Sequence, residues 1–345
     1  MKKVLVIYHR EDNDGVCSAA IAGSLLCTAG LYGTVYQPED IKYYGVNYAD
    51  LAADWNELVE WVRKPTEKKP RMAKWEDYGE VFMVDISFND PAAMNHMYEI
   101  FGDHFHWCDH HAPIINLSKD CDFGKTNGIR LTTQSALMNT WEYLTDKEPS
   151  DWLQVLSDYD SWAWTKLPRY EHDGGESLMA FNIGFTRSSN LKVQWYVDWI
   201  MEYLNGTGKH DEIAQNAWRY GEIVYKLDKE RTERAINSHG DINWNIKPNN
   251  QDDAPSRAVC LVTTDRFNSQ SFKMFRGTDI INAIVFKLEP KTDSVVMSLY
   301  NINDDDEFDC GKFCKDYYNG GGHKGAAGAT LTREQFMEAF INKQI

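Results

Sequence analysis

The sequence predicts an α/β protein whose first part is built on a parallel β-sheet. Residues 4–8 and 80–84 are almost wholly apolar runs, the pattern of strands that helices cover on both faces. Segments with helical patterning follow each of them, at 16–26 and 91–101. After a polar stretch at 247–253 the pattern changes to closely spaced strands. With 345 residues, the chain is long enough for two domains.

Other elements complete this arrangement. In the first part we predict extended segments at 34–36, 42–48 and 104–108, helices at 50–63, 134–144 and from 151, and a helical, aromatic region at 174–205. A long amphipathic helix at 210–235 is the natural connector. The second part has predicted strands at 258–262, 280–288 and 294–300 and a helix at 310–317. We therefore divide the chain into an N-terminal domain at 1–205, a connector helix at 206–245 and a C-terminal domain at 246–345.

Charge and composition exclude several classes of function. The net charge of −16 argues against tight, sequence-independent binding to long duplex nucleic acid, which requires many phosphate contacts. A short anionic substrate stays possible if divalent cations supply positive charge in the site. No apolar run reaches the length of a membrane span. The N-terminus lacks the pattern of a signal peptide, and the seven cysteines show no paired spacing, so we expect a cytoplasmic protein with free thiols.

Acidic and histidine residues follow three successive predicted strands. These residues are His9, Asp12 and Asp14 after the first strand, Asp85 after the second, and Asp109, His110 and His111 after the third. Side chains at the carboxyl ends of neighbouring parallel strands converge on one crevice. Asp158 and Asp160 stand at the end of a further apolar segment. The sequence therefore predicts one cluster of carboxylates and imidazoles.

This set of residue types indicates a metal site. Crowded carboxylates repel one another unless cations neutralise them. Carboxylate and imidazole ligands without thiolate suit Mn²⁺ or Mg²⁺ better than structural zinc. A bridging carboxylate, which Asp85 could be, would hold two ions about 3.5–4 Å apart, close enough to clamp a phosphoryl group. We expect Asp109 to orient the imidazole of His110.

A glycine-rich segment near the C-terminus indicates a second binding element. It consists of Gly320, Gly321, Gly322, His323 and Lys324. Consecutive glycines let backbone N–H groups approach an anion closely. His323 could donate a hydrogen bond to a phosphate oxygen, and Lys324 adds a positive charge. We predict that this loop binds a phosphate of the substrate.

Together, these motifs resemble the DHH phosphoesterase superfamily, in the branch with a DHH-associated C-terminal domain. The resemblance covers nearly the whole chain. Its motifs are His9-x-x-Asp12-x-Asp14-Gly15, Val84-Asp85-Ile86-Ser87, Asp109-His110-His111, Asp158-Tyr159-Asp160-Ser161-Trp162 and the glycine loop from Gly320 to Gly328. It implies that residues 1–205 form a parallel-sheet, metal-binding catalytic domain. It also implies that residues 246–345 form a smaller, mixed α/β domain that binds substrate, with a cleft between the two.

The resemblance also assigns roles to single residues. It implies two Mn²⁺ ions, with Mg²⁺ or Co²⁺ as possible replacements. His9 and Asp12 would bind one ion, and Asp85 would bridge both. Asp14, His110 and the aspartate of the fourth motif would bind the other.

Asp109, His110 and His111 form the predicted catalytic group, in which His111, like His323 of the glycine loop, would contact the phosphate. In the fourth motif, the spacing to the aromatic residue favours Asp158, whereas the Tyr-Asp-aromatic pattern favours Asp160. Both aspartates therefore stay open as the ligand.

The sequence departs from many relatives at Tyr300, where a Ser-x-Arg-Ser strand would place an arginine. A tyrosine stacks on a base more readily than it pairs with a phosphate. Phosphate contacts would then come from Arg266, Lys273 or Arg276. We therefore include Tyr300 and Arg266 among the predicted substrate-binding residues.

Members of the superfamily cleave phosphodiesters or phosphomonoesters, and this sequence is most similar to the nanoRNase branch. We expect a Mn²⁺-dependent phosphodiesterase that degrades short oligonucleotides to mononucleotides. One alternative is a hydrolase for a small signalling nucleotide, such as a cyclic dinucleotide, pApA or adenosine bisphosphate. Another, of a different class, is a non-catalytic nucleotide sensor. The expected partner is a short oligonucleotide or small nucleotide, with no long duplex and no membrane, and a homodimer stays open as an alternative to a monomer.

Overall fold

The computed structural model describes residues 3–48, 78–88, 90–247, 255–264, 267, 269–289, 294–303 and 308–345, without the side chains of residues 165, 269, 270 and 273. The chain divides into two compact units, Met1–Tyr225 and Lys226–Ile345. The division falls within the long helix α8 (Lys209–His239). Among the described helices, none combines the length and the apolar character that crossing a bilayer requires.

The first unit contains a parallel sheet, as the sequence predicts. Its strands are β1 (Lys3–His9), β2 (Ile41–Val46), β3 (Tyr78–Val84) and β4 (Phe105–Cys108). They lie in the order β2-β1-β3-β4, and every neighbouring pair is parallel. The strands β1, β3 and β4 therefore lie side by side, with their carboxyl ends at the same edge.

Helices of the first unit connect and cover these strands. They are α1 (Asn13–Thr28), α2 (Pro91–Phe101), α3 (Ala112–Ser118), α4 (Ala136–Leu144), α5 (Asp151–Asp160), α6 (Glu176–Ser189) and α7 (Val193–Leu204). The fold class predicted from the apolar runs is confirmed, since helices pack on both faces of the sheet.

The two faces of the sheet have separate hydrophobic cores. Val4 and Val6 of β1 point to one core, where α1, α4 and α7 pack. Leu5 and Ile7 point to the other, which includes Met94 of α2. Alternate residues of a strand face opposite sides, so a strand that is buried on both faces must be apolar at every position. Burial of each such side chain contributes roughly 1.5–3 kcal/mol.

The second unit contains a mixed sheet. Its strands are β5 (Asp241–Ile246), β6 (Ser256–Thr263), β7 (Ile280–Glu289), β8 (Ser294–Asn301), β9 (Gly321–Gly322) and β10 (Ala326–Leu331). The order is β5-β6-β7-β8-β10-β9, with β6 and β7 parallel and the other pairs antiparallel. Helices α9 (Cys310–Tyr318) and α10 (Arg333–Asn342) pack on one face. This unit is therefore the smaller, mixed α/β part of the predicted fold.

Several local predictions differ from the structure. The segment at 34–36 is not a strand, because the chain turns tightly there and Leu31 and Thr34 form an isolated bridge. The strand β5 was not predicted, and β10 begins within the segment that we assigned to the glycine loop, Gly320 to Gly328, and runs past its end. Its sequence, Ala-Ala-Gly-Ala-Thr-Leu, lacks the large β-branched residues that mark strands. The helix predicted at 50–63 falls outside the described residues.

Candidate metal centre

His9 and Asp85 end two adjacent strands and meet at the carboxyl edge of the sheet. His9 is the last residue of β1, and Asp85 directly follows β3. His9 Nδ1 lies 3.6 Å from Asp85 Oδ2 and 2.6 Å from Asp12 Oδ2. The structure thus brings together His9, Asp12 and Asp85, with ligand atoms within 4.8 Å of one another.

His110 joins the same cluster from the third strand. Its Nε2 lies 3.2 Å from Asp160 Oδ2, 3.4 Å from Asp85 Oδ1 and 3.8 Å from Asp14 Oδ2. Asp85 therefore has one oxygen toward His9 and the other toward His110. This is the arrangement expected of a carboxylate that bridges two cations.

Asp85 occupies an unusual backbone conformation. Its φ is +55°, in the left-handed region that non-glycine residues rarely adopt. The backbone N–H of Asp85 donates to the carbonyl of Cys108 at 3.0 Å, which fixes the residue to the end of β4. Within the described part of the chain, its buried Oδ1 accepts no well-aligned hydrogen bond. A buried carboxylate oxygen without a donor is costly unless a cation contacts it.

The loop between β1 and α1 places Asp12. Asp12 is the N-cap of α1, and its Oδ1 accepts the backbone N–H of Gly15 at 2.9 Å. A Cβ at Gly15 would lie only 2.1 Å from the carbonyl oxygen of His9, so this turn requires glycine. Capping uses one carboxylate oxygen of Asp12 and leaves the other toward His9.

Asp14 is buried and hydrogen-bonded to a different helix. Its Oδ2 accepts the N–H of Ala136 at 2.9 Å, and its Oδ1 accepts that of Leu137 at 2.8 Å. These are the first two residues of α4, whose N-cap, Ser135, makes no side-chain cap of its own. Asp14 therefore holds the N-terminus of α4 against the metal centre.

Asp109 contacts His111 rather than the ring of His110, which differs from our prediction. Its Oδ1 accepts the backbone N–H of His110 at 2.7 Å and lies 2.7 Å from Nδ1 of His111. Its Oδ2 accepts the indole N–H of Trp107 at 3.1 Å. The carboxylate is wholly buried. Asp109 thus orients His111 and closes the turn after β4.

The two aspartates of the fourth motif have different surroundings. Asp160 lies in the cluster, beside His110. Asp158 is buried and accepts hydrogen bonds from Gln154 at 2.9 Å, from the Tyr170 hydroxyl at 2.7 Å and from Arg169. The structure therefore brings Asp160 together with the other predicted ligands and holds Asp158 in a separate network.

Electrostatics show how strongly the two histidines and their carboxylates interact. Burial lowers the pKa of His9, but hydrogen bonding to Asp12 and Asp85 and their charges outweigh it and raise that pKa to about 11. In the same way, burial opposes but Asp85, Asp160 and Asp14 raise the pKa of His110 to about 11. Because a histidine must be unprotonated to bind a metal, a cation at this site would displace protons from these rings.

The carboxylates of the cluster divide into those whose pKa is raised, Asp14 and Asp160, and one whose pKa is lowered, Asp85. Burial raises the pKa of Asp14, and the charges of Asp85 and Asp160 add to this. Burial also raises the pKa of Asp160 to about 7, although His110 opposes the shift. Burial acts in the same direction on Asp85, but His110 and His9 outweigh it and hold its pKa below the usual range. Such mutually repelling carboxylates favour bound cations.

The residues present fit the two divalent ions that the motifs imply. Three overlapping groups have ligand atoms within 4.8 Å: His9, Asp12 and Asp85; Asp14, His110 and Asp160; and Asp85, His110 and His111. All donors are carboxylate oxygens and imidazole nitrogens, which suit Mn²⁺ and Mg²⁺. Asp85 belongs to two of the groups and links them.

The fold is that of known DHH proteins. No protein-family model and no curated protein matches the sequence. Among solved structures, a pGpG-specific phosphodiesterase from Vibrio cholerae is similar with a TM-score of 0.52 and 15% identity, covering 99% of this chain and 98% of that one. The DHH domain of a protein described as a member of a family of ribosomal proteins gives a TM-score of 0.55 and 15% identity, covering 99% and 86%. The chain has the DHH fold.

The glycine loop of this DHH fold belongs to the second unit. It follows α9 and forms the short strand β9, in which Gly322 has φ +144°. The backbone N–H of His323 donates to the carbonyl of Ala326 at 2.8 Å, and the carbonyl of Lys324 accepts from Cys310 at 2.9 Å. The side chains of His323 and Lys324 are exposed. These residues are thus presented on a tight turn at the edge of the sheet.

Tyr300 and Arg266 were the other predicted substrate-binding residues. The Tyr300 hydroxyl donates to the carbonyl of Phe267 at 2.7 Å, and its ring lies 6.0 Å from that of Phe272 at an angle of 27°. Its ring is therefore partly covered by protein. Arg266 falls outside the described residues, as does the side chain of Lys273. Arg276 donates to the carbonyl of Ile302 at 3.0 Å.

Sequence reasoning missed two residues that surround the metal centre. Asn13 lies between Asp12 and Asp14, and its amide is hydrogen-bonded to Asn182, Thr186 and Tyr196. The position of a polar residue between two predicted ligands was the available signal.

The second missed residue is Tyr48, whose ring centroid lies 5.6 Å from those of both His9 and His111. Its position just after β2, at the same edge of the sheet as the ligands, was the signal in that case.

Proposed function

We propose that this protein is a metal-dependent phosphodiesterase of the DHH superfamily that hydrolyses short oligonucleotides to mononucleotides. One observation carries the proposal: six carboxylate and imidazole side chains from separate segments, with Asp85 among them, cluster at the carboxyl edge of the parallel sheet. Their chemistry suits two Mn²⁺ ions, with Mg²⁺ or Co²⁺ as possible replacements. The DHH fold and the ordered motifs support the assignment.

Each ion would have its own set of ligands. His9 and Asp12 would hold one ion, and Asp14, His110 and Asp160 the other, with Asp85 shared. We choose Asp160 as the fourth-motif ligand because its Oδ2 lies 3.2 Å from His110 Nε2. When bound, the ions would supply Lewis acidity toward a phosphoryl group and activate water as the nucleophile.

His111 is suited to contact the phosphoryl group. Burial lowers its pKa, but the charge of Asp109 and the hydrogen bond to it raise that pKa to about 8. This shift favours the protonated ring, in which Nδ1 would donate to Asp109 and Nε2 could donate to a phosphoryl oxygen. Because negative charge grows on that oxygen during attack, a fixed donor stabilises the transition state.

The net charge restricts the substrate to short anions. With 52 acidic and 36 basic residues, the protein cannot rely on a positive surface to attract a long polyanion. Affinity would come from the two cations and from a few direct contacts in the second unit. Short oligonucleotides satisfy these conditions better than long strands.

A linear dinucleotide is the second candidate substrate. The observation that favours it is the fold similarity to a pGpG-specific phosphodiesterase over nearly the full length of both chains. A non-catalytic nucleotide sensor is the candidate of another class. A complete ligand set argues against it, because a sensor has no need of six convergent ligands.

Hydrolysis assays separate these functions. The protein is incubated with Mn²⁺ and labelled two- to ten-mers, pGpG, pApA, cyclic dinucleotides and adenosine bisphosphate, and product lengths are recorded. We expect mononucleotides from the shortest oligomers. Asp85→Ala and His110→Ala should abolish turnover, whereas the exposed controls Asp146→Ala and His96→Ala should not.

Two outcomes would overturn the proposal. Full Mn²⁺-dependent turnover in Asp85→Ala and His110→Ala would place the chemistry elsewhere. Tight nucleotide binding without turnover of any substrate would favour the sensor.

A further inference from the structure

One face of the sheet in the second unit carries a cavity of about 300 Å³. It is formed by the strands β7 and β8 and by one residue that precedes β7. The lining residues are Phe267, Val285, Lys287, Glu289, Val296, Ser298 and Tyr300. None of the described metal-centre residues belongs to it.

The walls of this cavity suit a flat, apolar ring. Val285 and Val296 supply aliphatic surface, and Phe267 and Tyr300 supply aromatic surface. Tyr300 is held in place by its hydrogen bond to the carbonyl of Phe267 and by its contact with Phe272. Rigid aromatic and aliphatic walls of this kind bind nucleobases by stacking, largely without regard to sequence.

A charged pair in the cavity adds a directional element. Lys287 and Glu289 are two residues apart on β7, so their side chains share one face, and they form an ion pair. The cavity thus offers an ammonium donor beside two carboxylate acceptors. The Watson–Crick edge of guanine has the matching order, with the O6 acceptor beside the N1–H and N2–H donors. Adenine has no acceptor beside two donors on that edge.

The cavity lies in register with the glycine loop. Val285 pairs with Ser298 across β7 and β8, Ser298 pairs with Gly328 across β8 and β10, and Gly328 pairs with Gly321 across β10 and β9. Adjacent strands are about 4.8 Å apart, so Ser298 and Gly321 are separated by roughly 10 Å. Cross-strand partners project to the same face of the sheet, and Gly328, which lies between Ser298 and Gly321, has no side chain that would obstruct a ligand there. This distance applies to the end of the cavity at Val285 and Ser298, and Lys287 and Glu289 lie about 7 and 14 Å farther along β7.

We propose that this cavity binds the guanine base of a nucleotide substrate, which extends from the cavity toward the glycine loop from Gly320 to Gly322. The Glu289 carboxylate accepts the N1–H and N2–H groups, and the Lys287 ammonium donates to O6. This inference rests on the proposed function, because it assigns a base preference to the same nucleotide substrates. A guanine-binding cavity makes guanine-containing dinucleotides better substrates than adenine-containing ones.

Direct binding tests the cavity independently of turnover. Isothermal titration calorimetry on the full chain in EDTA compares GMP, IMP and AMP. IMP lacks the N2 amine, so we expect it to bind about ten-fold more weakly than GMP, and AMP more weakly still, since a bidentate base contact is worth about 1–3 kcal/mol. Glu289→Gln should remove this difference. Glu338→Gln, an exposed glutamate of α10, is the matched control.

Hydrolysis then separates this inference from the proposed function. With Mn²⁺, kcat/KM for pGpG should exceed that for pApA by about ten-fold, mainly through KM. Glu289→Gln should lower pGpG turnover to the level of pApA, Val296→Phe, which fills the cavity, should raise KM for both, and the control Glu338→Gln should leave the turnover of both unchanged. Equal binding of GMP, IMP and AMP, or a purine preference that Glu289→Gln leaves intact, overturns the guanine site. Selective GMP binding without any hydrolysis supports the site and contradicts the phosphodiesterase.

Discussion

The carboxylate of Asp14 caps a helix that is far away in sequence: its Oδ2 accepts the backbone N–H of Ala136 at 2.9 Å, across 122 residues. The same Oδ2 lies 3.8 Å from His110 Nε2 in the candidate metal centre. One side chain therefore satisfies the N-terminus of α4 and contributes to the cluster. The geometry of the site and the stability of the first unit are linked through this residue.

We expect Asp14→Ala to lower the free energy of unfolding of the metal-free protein by about 1–2 kcal/mol, because two helix N–H groups lose their acceptor. Asp14→Asn keeps one of the two acceptors and removes a carboxylate whose pKa is raised by burial, so its loss of stability should be smaller than that of Asp14→Ala. Urea denaturation in EDTA measures both. Both variants should lose part of the stabilisation by Mn²⁺. Equal stability of the alanine and asparagine variants would contradict the capping role.

Asp158 and Asp160 should respond differently to the same substitution. Asp160→Asn should abolish most of the increase in melting temperature that Mn²⁺ produces. The metal-free variant should be at least as stable as the metal-free parent, because burial raises the pKa of Asp160 and makes its charge unfavourable there. Asp158→Asn should keep the Mn²⁺ effect and destabilise the metal-free protein, because Arg169 and Tyr170 lose a charged acceptor. Thermal scans with and without Mn²⁺ measure both effects. The reverse pattern would assign the metal to Asp158.

Asn13 should position the two aspartates beside it. Its Nδ2 lies 2.6 Å from Asn182 Oδ1 and 2.8 Å from Thr186 Oγ1, and its Oδ1 accepts from the Tyr196 hydroxyl. Asn13→Ala removes the donor to Asn182 and Thr186 and the acceptor of the buried Tyr196 hydroxyl, so we expect a loss of about 2–3 kcal/mol in unfolding free energy. Mn²⁺ affinity, measured by calorimetry at a temperature where the variant is folded, should fall at least ten-fold. Thr186→Val, which removes one acceptor and keeps the shape, should give a smaller effect of the same sign.

The stability of the first unit should depend on pH through His210. This ring is 3% exposed, with Nδ1 3.0 Å from the carbonyl oxygen of Trp199 and Nε2 2.8 Å from Ser150 Oγ. Burial lowers its pKa from the usual value. The unfolded chain then binds the proton more readily than the folded chain. The stabilising contribution of neutral His210 is therefore fully present above a pH of about 6.5, the ordinary histidine pKa, and is lost as the pH falls below that value. The difference in melting temperature between the parent and His210→Gln should therefore shrink from pH 7.5 to pH 5.5. A constant difference would contradict this assignment.

Much of the architecture could be predicted from local patterns. The apolar runs of β1 and β3, the spacing of α2 and α4 and the long helix α8 were all visible in the sequence, because burial on both faces or on one stripe restricts residue types directly. The strand β10 was not predictable in this way. Its alanines and glycines have weak strand propensity, and the strand forms because β8 and β9 pair with it.

The sequence by itself determined which residue types stand at the ends of β1, β3 and β4, and hence that carboxylates and imidazoles meet at one edge. Only the tertiary structure decided which of them face one another. Asp158 and Asp160 share α5, where residues two apart point about 200° apart around the axis, so only one can face His110. Likewise, the turn after β4 directs Asp109 toward the ring of His111. Such choices depend on helix rotation and turn geometry, which long-range packing sets and local sequence does not encode.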